Sequence, residues 1–118
     1  MAAGSVARRL LEEYEIFIHS HVICIGGIWA APTNSINWDH VEESPVRCAD
    51  LETSQHMITA IDAAKEAGDT VGGVIEIVVT GVPIGLGSHV HWDRKLDGRI
   101  AQALMSIHAV KATSIGEG

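Results

Sequence analysis

The stretch from Gly68 to Val110 constrains the fold more than any other part of the chain, because it prescribes several structural elements in one order. The pair Gly72-Gly73 leads into VIEIVVT at residues 74–80, a β-branched run that predicts a strand. The loop GVPIGLG follows, and its glycines permit backbone conformations that are closed to other residues. An aromatic-rich link then passes through DRKLD into an apolar segment. The fold must therefore accommodate a strand, an unusual loop and a helix in succession.

The apolar segment predicts a helix over residues 94–109, with Asp93 as its N-cap. This helix has little polar surface apart from Arg99, Gln102 and Ser106, so burial on more than one side is expected. The acids and cations around its first turns are interpreted as caps and i,i+4 partners rather than as the edge of an active site. They are Asp93, Arg94, Lys95, Asp97 and Arg99.

Residues 2–14 repeat apolar side chains at helical spacing, which predicts a helix with one buried stripe. The stripe consists of Ala3, Val6, Ala7, Leu10, Leu11 and Tyr14. On the outside of this helix the i,i+4 spacing predicts two ion pairs, Arg8 with Glu12 and Arg9 with Glu13.

A second amphipathic helix is predicted over residues 51–67, half exposed, with Asp50 as its N-cap and Gly68 as its C-terminal stop. Residues 32–45, by contrast, are rich in Pro, Asn and Ser and predict a loop with at most a short turn of helix.

The run from Ile16 to Trp29 is β-branched and predicts a strand, with a bend or bulge at Gly26-Gly27. Alternation places one set of side chains on a single face of this strand. They are Phe17, His19, His21, Ile23 and Ile25. Aliphatic strands combined with Ala-rich helices favour an α+β fold, and 118 residues suit one domain.

Composition excludes several classes of function. The formal net charge is −7 and no basic stripe gathers on one predicted face, so nucleic acid is not expected as a partner. No run of 18 apolar residues exists, so a membrane partner is not expected either. Cys24 and Cys48 lack CxxC spacing and are interpreted as reduced, partly buried thiols, which favours a cytoplasmic location.

Several segments in this order resemble the chorismate synthase family: AAGSVARRLLEEY at the start, then RCAD, GVPIGLG, DRKLD and SIHAVK. The resemblance covers essentially all 118 residues, whereas members of that family are considerably longer. It therefore implies a single partial domain over residues 1–118, an internal fragment with further segments on both sides. The implied architecture is a β-α-β sandwich, in which helices are layered against antiparallel sheet.

The resemblance also implies a chemistry. Chorismate synthases use reduced flavin mononucleotide (FMN) to eliminate phosphate from 5-enolpyruvylshikimate 3-phosphate, giving chorismate for aromatic amino acid biosynthesis. They are homo-oligomers, tetramers in the family. The family's two acid–base histidines belong to a segment that precedes the one matched by this chain, so the resemblance assigns no catalytic residue here.

One flavin-contacting pair of the family does match this chain. The family motif SINA corresponds to SIHA, which places His108 and Ala109 at the pair's positions, at the end of the last predicted helix. His108 replaces an amide with a ring whose charge varies near neutral pH. The pair therefore has two interpretations, a cofactor contact or a purely structural role for His108.

Alternative functions remain open from the residues alone. The loop GVPIGLG lacks the spacing of a phosphate-binding loop and is interpreted as structural. Two HxH pairs, His19 with His21 and His89 with His91, suggest zinc or nickel binding as a lesser alternative, although no metal ligand is assigned. The stronger alternative to catalysis is a non-catalytic, self-associating module or degenerate remnant.

Overall fold

A computed structural model of the protein describes residues 2–116, which divide into two compact units, one ending at Gly81 and the other beginning at Val82. The first unit contains three helices and three strands. In chain order they are α1 Ala2–Glu13, β1 Phe17–Ile25, β2 Ile28–Trp29, α2 Trp38–Glu43, α3 Leu51–Ala67 and β3 Gly73–Thr80. The second unit contains a 3₁₀ turn at Trp92–Arg94 and helix α4 at Leu96–Met105. The α+β class is confirmed.

The three strands form one antiparallel sheet in the order β2-β1-β3. The bend predicted at Gly26-Gly27 is a two-residue hairpin turn, since Ile25 pairs with Ile28 and both glycines have positive φ, +60° and +79°. Two consecutive positive φ angles are typical of a type I′ turn, which matches the natural twist of a hairpin. A register shift between Val22 and Cys24 marks a bulge in β1. The bulge puts Cys24 on the face of Phe17, His19 and His21 and Ile25 on the opposite face, so the predicted alternation is wrong beyond Val22.

The register of β1 and β3 defines two faces of this sheet, because directly paired residues point the same way. One face, here called the helix face, carries the pairs His19–Val78, His21–Glu76 and Cys24–Val74. Trp38 of α2 packs against both histidines of this face. The other, here called the open face, carries the pairs Ile18–Val79, Ser20–Ile77 and Val22–Ile75. None of these six open-face residues is buried.

The core of the first unit lies on the helix face. Its buried apolar side chains are Cys24, Val41, Cys48 and Met57, the last three with no exposed surface. Ser44 and Ser54 are also buried and satisfy each other through an Oγ–Oγ hydrogen bond of 2.8 Å. Both cysteines are buried free thiols, as the sequence predicts.

Helix α3 has the predicted bounds and the predicted caps. The Asp50 carboxylate accepts hydrogen bonds from the backbone N–H groups of Glu52 and Thr53, at 3.3 and 3.2 Å. Gly68 ends the helix in the left-handed conformation, with φ +68°. Helix α2 occupies the segment predicted as a loop with a short helical turn, and the side chain of Asn37 caps it.

Arg47 covers the edge of β1 that faces away from β3. Its carbonyl oxygen accepts from the Val22 N–H at 2.9 Å, and its Nη2 donates to the carbonyl oxygen of Ser20 at 3.3 Å. Both of its terminal nitrogens also donate to Glu42, at 3.1 and 3.2 Å. This hydrogen-bonded pair lowers the pKa of the Glu42 carboxyl. Arg47 holds the left-handed φ of +57° that this arrangement requires.

Helix α1 forms as predicted, but its apolar stripe is not buried. Val6, Leu10 and Tyr14 are 73%, 60% and 71% exposed, and no residue of α1 is buried. Periodicity identifies the apolar side of a helix without requiring a neighbour to cover it. The Arg8–Glu12 pair is present at 3.5 Å, whereas Arg9 pairs with Glu12 at 2.6 Å instead of with Glu13.

The last helix differs from the prediction at both ends. It covers Leu96–Met105 rather than residues 94–109, and Asp93 does not cap it, because Asp93 lies inside the preceding 3₁₀ turn. The expected burial on more than one side is also wrong for the described residues, since α4 contains no buried residue. In the described part of the chain, no helix is both long and apolar enough to cross a membrane.

Candidate functional site

The pair His108–Ala109 lies in a turn beyond α4 rather than in the helix itself. The C-cap of α4 is Ser106, and the turn is closed by a hydrogen bond from the Val110 N–H to the Ile107 carbonyl oxygen at 3.3 Å. Ala109 has a φ of +69°, a conformation that disfavours a residue with a Cβ. Both members of the pair are exposed. The predicted position is thus shifted from a helix end to a strained surface turn.

This turn offers hydrogen-bonding groups but no enclosure. Within residues 2–116, the backbone N–H groups of His108 and Ala109 have no hydrogen-bond partner, and the imidazole of His108 has none either. A bound flavin requires a site that buries most of its surface and several donors for its phosphate. Both residues of the pair are exposed, so the turn by itself does not enclose a flavin. Its residues do not form a complete flavin site.

The glycine-rich loop of the second unit borders an open depression. The residues that line this depression are Gly85, Leu86, Gly87, Ser88, His89, Lys95 and Asp97. Gly87 has a φ of +96°, and a Cβ at this position would lie 2.9 Å from the Cβ of Leu96. A glycine is therefore required where the loop passes the start of α4. This close approach supports the structural interpretation of the loop.

Two pairs of polar side chains lie close together around α4. Lys95 Nζ lies 3.2 Å from an oxygen of Asp97, and His91 Nδ1 lies 2.6 Å from an oxygen of Asp93. The pKa of Asp97 is lowered, first by the hydrogen bond from the Gly98 N–H and then by Lys95. Both contacts join residues two positions apart, so the predicted i,i+4 partners are not among them, and Asp93 pairs with His91 instead of capping the helix.

The first unit holds a polar cluster that the sequence pattern alone does not predict. His21, which is 6% exposed, shares a 2.7 Å hydrogen bond with Glu76, and His19 stacks on Trp38 with ring centroids 4.6 Å apart. Trp38 also meets the ring of His21 edge-on, at 5.6 Å. The four side chains fix α2 against the sheet. One signal could have found them: Glu76 is the only charge in an apolar strand, so it is a natural partner for a buried histidine.

The predicted HxH pairs lie in different units. His19 and His21 share the helix face of β1, as predicted, while His89 and His91 belong to the second unit. Within residues 2–116, no three side chains of His, Cys, Asp or Glu are grouped so that they could hold a metal ion. Two histidine–carboxylate pairs are present, His21–Glu76 and His91–Asp93, and neither has a third ligand beside it in the described residues.

Comparisons with known proteins agree with this fold. The family model for chorismate synthase matches residues 1–118. The chain is 51% identical to a chorismate synthase of Moorella thermoacetica, 52% to one of Shouchella clausii and 53% to one of Brevibacillus brevis. Each alignment covers 100% of this chain and 31% of the relative. The chain thus spans about a third of the length of these curated relatives.

A solved structure supports the same conclusion. A crystal structure of chorismate synthase matches 94% of this chain with a TM-score of 0.84 and 40% sequence identity. The matched region makes up 36% of that crystallised chain. The helices and antiparallel sheet described above therefore correspond to part of a larger known architecture.

Proposed function

The chain belongs to the chorismate synthase family, and from that premise we propose that it carries part of the framework of this enzyme family without a complete catalytic centre. The reaction of the family is elimination of phosphate from 5-enolpyruvylshikimate 3-phosphate with reduced FMN. The resemblance places the family's two acid–base histidines in a segment ahead of the one matched here, so it gives none of the seven histidines of this chain that role. We accordingly assign no catalytic residue to the chain and propose that it is inactive alone.

The observation that carries this proposal is the state of the His108–Ala109 turn. By the resemblance it is the flavin-contacting pair of the family that lies within this chain, and both of its residues are exposed. A flavin held by one edge loses most of the contacts that offset its binding entropy. The contribution of this chain to cofactor binding is therefore one partial contact, which becomes effective when other segments complete the site.

The first test is turnover. The purified chain is incubated with 5-enolpyruvylshikimate 3-phosphate and reduced FMN, and chorismate is measured, with the Moorella thermoacetica chorismate synthase as positive control. We expect no chorismate above the background without protein. Turnover within tenfold of the positive control contradicts the proposal.

The second test is flavin binding, followed by fluorescence with oxidised and reduced FMN. We expect a dissociation constant well above the micromolar range for the wild type. His108→Asn restores the family's amide, and His89→Asn is a matched control in the same unit. If wild type binds in the low micromolar range, or if only His108→Asn tightens binding by about tenfold or more, about 1.4 kcal/mol, the site is more complete than proposed.

A second candidate function is a non-catalytic, self-associating module. It is favoured by the exposed apolar surfaces of the first unit, on α1 and on the open face of the sheet. Exposed patches of this kind are typical of interaction surfaces. We propose a homo-oligomer in a cytoplasmic setting, where the buried thiols of Cys24 and Cys48 stay reduced. Under both candidate functions we propose that residues 1–118 are a single partial domain.

A further inference from the structure

Strand β3 lies at an edge of the sheet, and Glu76, which points to the helix face and bonds His21, is its only charged residue. In the described part of the chain its only sheet neighbour is β1. Its sequence GVIEIVVT contains no Lys and no Pro, and the bulge of this sheet lies in β1. Ile75, Ile77 and Val79 are 66%, 45% and 43% exposed. A long, regular, apolar edge with free backbone groups is a template for another strand.

The orientation of the backbone groups on this edge follows from the contacts of Arg47. Val22 and Ser20 direct their N–H and carbonyl groups to Arg47, which lies on the side of β1 away from β3. Their partners Ile75 and Ile77 are therefore the non-hydrogen-bonded positions of the β1–β3 ladder. Since the pattern alternates, Ile75, Ile77 and Val79 direct their own N–H and carbonyl groups to the free edge.

These outward groups permit only certain two-fold pairings of β3 with an identical strand. A two-fold axis at Ile77 places Ile77 opposite itself and Ile75 opposite Val79, so that every outward group meets another outward group. An axis at Glu76 also satisfies the alternation, but it places two carboxylates directly opposite each other, which is destabilising. A two-fold axis farther along the strand leaves the outward N–H and carbonyl groups of Ile75 or Val79 without a residue of the partner's β3 opposite them.

We propose that β3 pairs antiparallel with β3 of a second copy of this chain, across a two-fold axis at Ile77. The two three-stranded sheets then form one continuous sheet. On its open face Ile75, Ile77 and Val79 of one copy lie beside the same residues of the other, so an apolar surface becomes continuous. On the helix face Glu76 lies opposite Val78, which avoids the repulsion between like charges.

A second copy fits this edge better than an unrelated strand, because the edge matches itself in outward backbone groups and apolar side chains and brings no like charges together. This inference rests on the proposed self-association and identifies its surface. It is independent of the family reaction, since neither the strand nor its pairing involves the His108–Ala109 turn.

The first test places like charges on the axis. Wild type, Ile77→Lys and Ile77→Glu are compared by sedimentation equilibrium at micromolar concentration, with Ile84→Lys, a fully exposed position outside β3, as the matched control. We expect wild type and Ile84→Lys to be dimers and each Ile77 variant to be monomeric, with unchanged circular dichroism. An equimolar mixture of the two Ile77 variants restores the dimer, because opposite charges then meet.

The outcomes separate the two levels of the proposal. A monomeric wild type overturns both the self-association and this interface. A dimeric wild type whose Ile77 variants remain dimers keeps the self-association and overturns the β3 interface. If the Ile77 variants lose secondary structure, the interface is decided by the second test, because a cysteine introduces no charge at this position.

The second test is disulfide crosslinking at the axis. Opposed residues of a hydrogen-bonded antiparallel pair have Cα atoms about 5.5 Å apart, within the range for a disulfide. Ile77→Cys is expected to give a covalent dimer under mild oxidation. Ile75→Cys gives none, because its copies lie about 14 Å apart along the strand, but it crosslinks when mixed with Val79→Cys. Failure of Ile77→Cys to crosslink overturns the register, and wild type controls for the buried native thiols.

Discussion

Gly81 ends β3 in a conformation that an alanine cannot adopt without a clash, so Gly81→Ala tests the packing of the sheet directly. Its φ is +76°, and a Cβ at this position would enter the carbonyl group of Glu15. Gly27 provides a matched control in the same unit, because its φ is +79° and nothing lies within 4 Å of an added Cβ. The two substitutions share their backbone strain and differ in the clash.

The expected loss of folding stability follows from the backbone strain and the clash. A positive φ costs an ordinary residue roughly 1–2 kcal/mol, and this is the whole cost expected for Gly27→Ala. Gly81→Ala adds overpacking against backbone, typically about 1–3 kcal/mol. The backbone of Glu15 cannot rotate away as a flexible side chain could. For a domain of roughly 60–100 residues, each kcal/mol lowers the melting temperature by about 4–8 °C.

The assay is thermal unfolding of wild type and both variants, followed by circular dichroism at 222 nm. Gly81→Ala is expected to melt at least about 4 °C below Gly27→Ala, with Gly27→Ala itself below wild type. Equal melting temperatures for the two variants would refute the inferred contact between residue 81 and Glu15. Measuring both at two protein concentrations separates the effect on folding from any effect on association.

Two further substitutions test the first unit. Asp50→Ala removes the N-cap of α3 and is expected to cost about 1 kcal/mol, whereas Asp62→Ala on the exposed side of the same helix changes the melting temperature little. The hydrogen bond from Thr53, followed by the backbone bonds, lowers the pKa of Asp50. The stability that the cap contributes is therefore complete above the ordinary aspartate pKa and is lost as the pH falls through the lowered pKa. The difference in melting temperature between wild type and Asp50→Ala should accordingly disappear in acid. A difference that stays constant with pH contradicts this expectation. Met57→Ala removes a fully buried side chain and is expected to cost about 2–5 kcal/mol, while Met105→Ala, 45% exposed, costs less than about 1 kcal/mol; similar chemical-denaturation midpoints for the two would contradict the assigned core.

The parts of the fold that were predicted from sequence have local causes. Asp50 and Gly68 bound α3 through contacts within a few residues of the helix ends, and the Gly26-Gly27 turn depends on two residues alone. Such signals can be read from neighbouring positions in the chain. The start of α4 was missed because Asp93 has two possible local partners, and it pairs with His91 inside a 3₁₀ turn.

The remaining features depend on contacts between distant residues. His21 and Glu76 are separated by 55 positions and meet only through the register of β1 and β3. Alternation assigned His21 to the correct face, but its partner required the pairing itself. The predicted burial of α1 and α4 was wrong for a related reason. An amphipathic pattern identifies which side of a helix can be covered, but it does not identify what covers that side. His108 and Ala109 were found by resemblance alone, because no pattern of spacing marks them.

The contacts of Arg47 limit which edges of this sheet are open to a strand of a second copy. A sheet with two free edges can add strands at both ends without limit, which produces filaments, whereas one free edge gives a closed pair. Arg47 occupies the edge of β1 beside Val22 and Ser20, and only the two-residue β2 extends past it. Under the proposed pairing, β3 is therefore the long edge that accepts a strand of a second copy. By bonding the backbone of Val22 and Ser20, Arg47 protects part of the opposite edge from the same kind of strand addition.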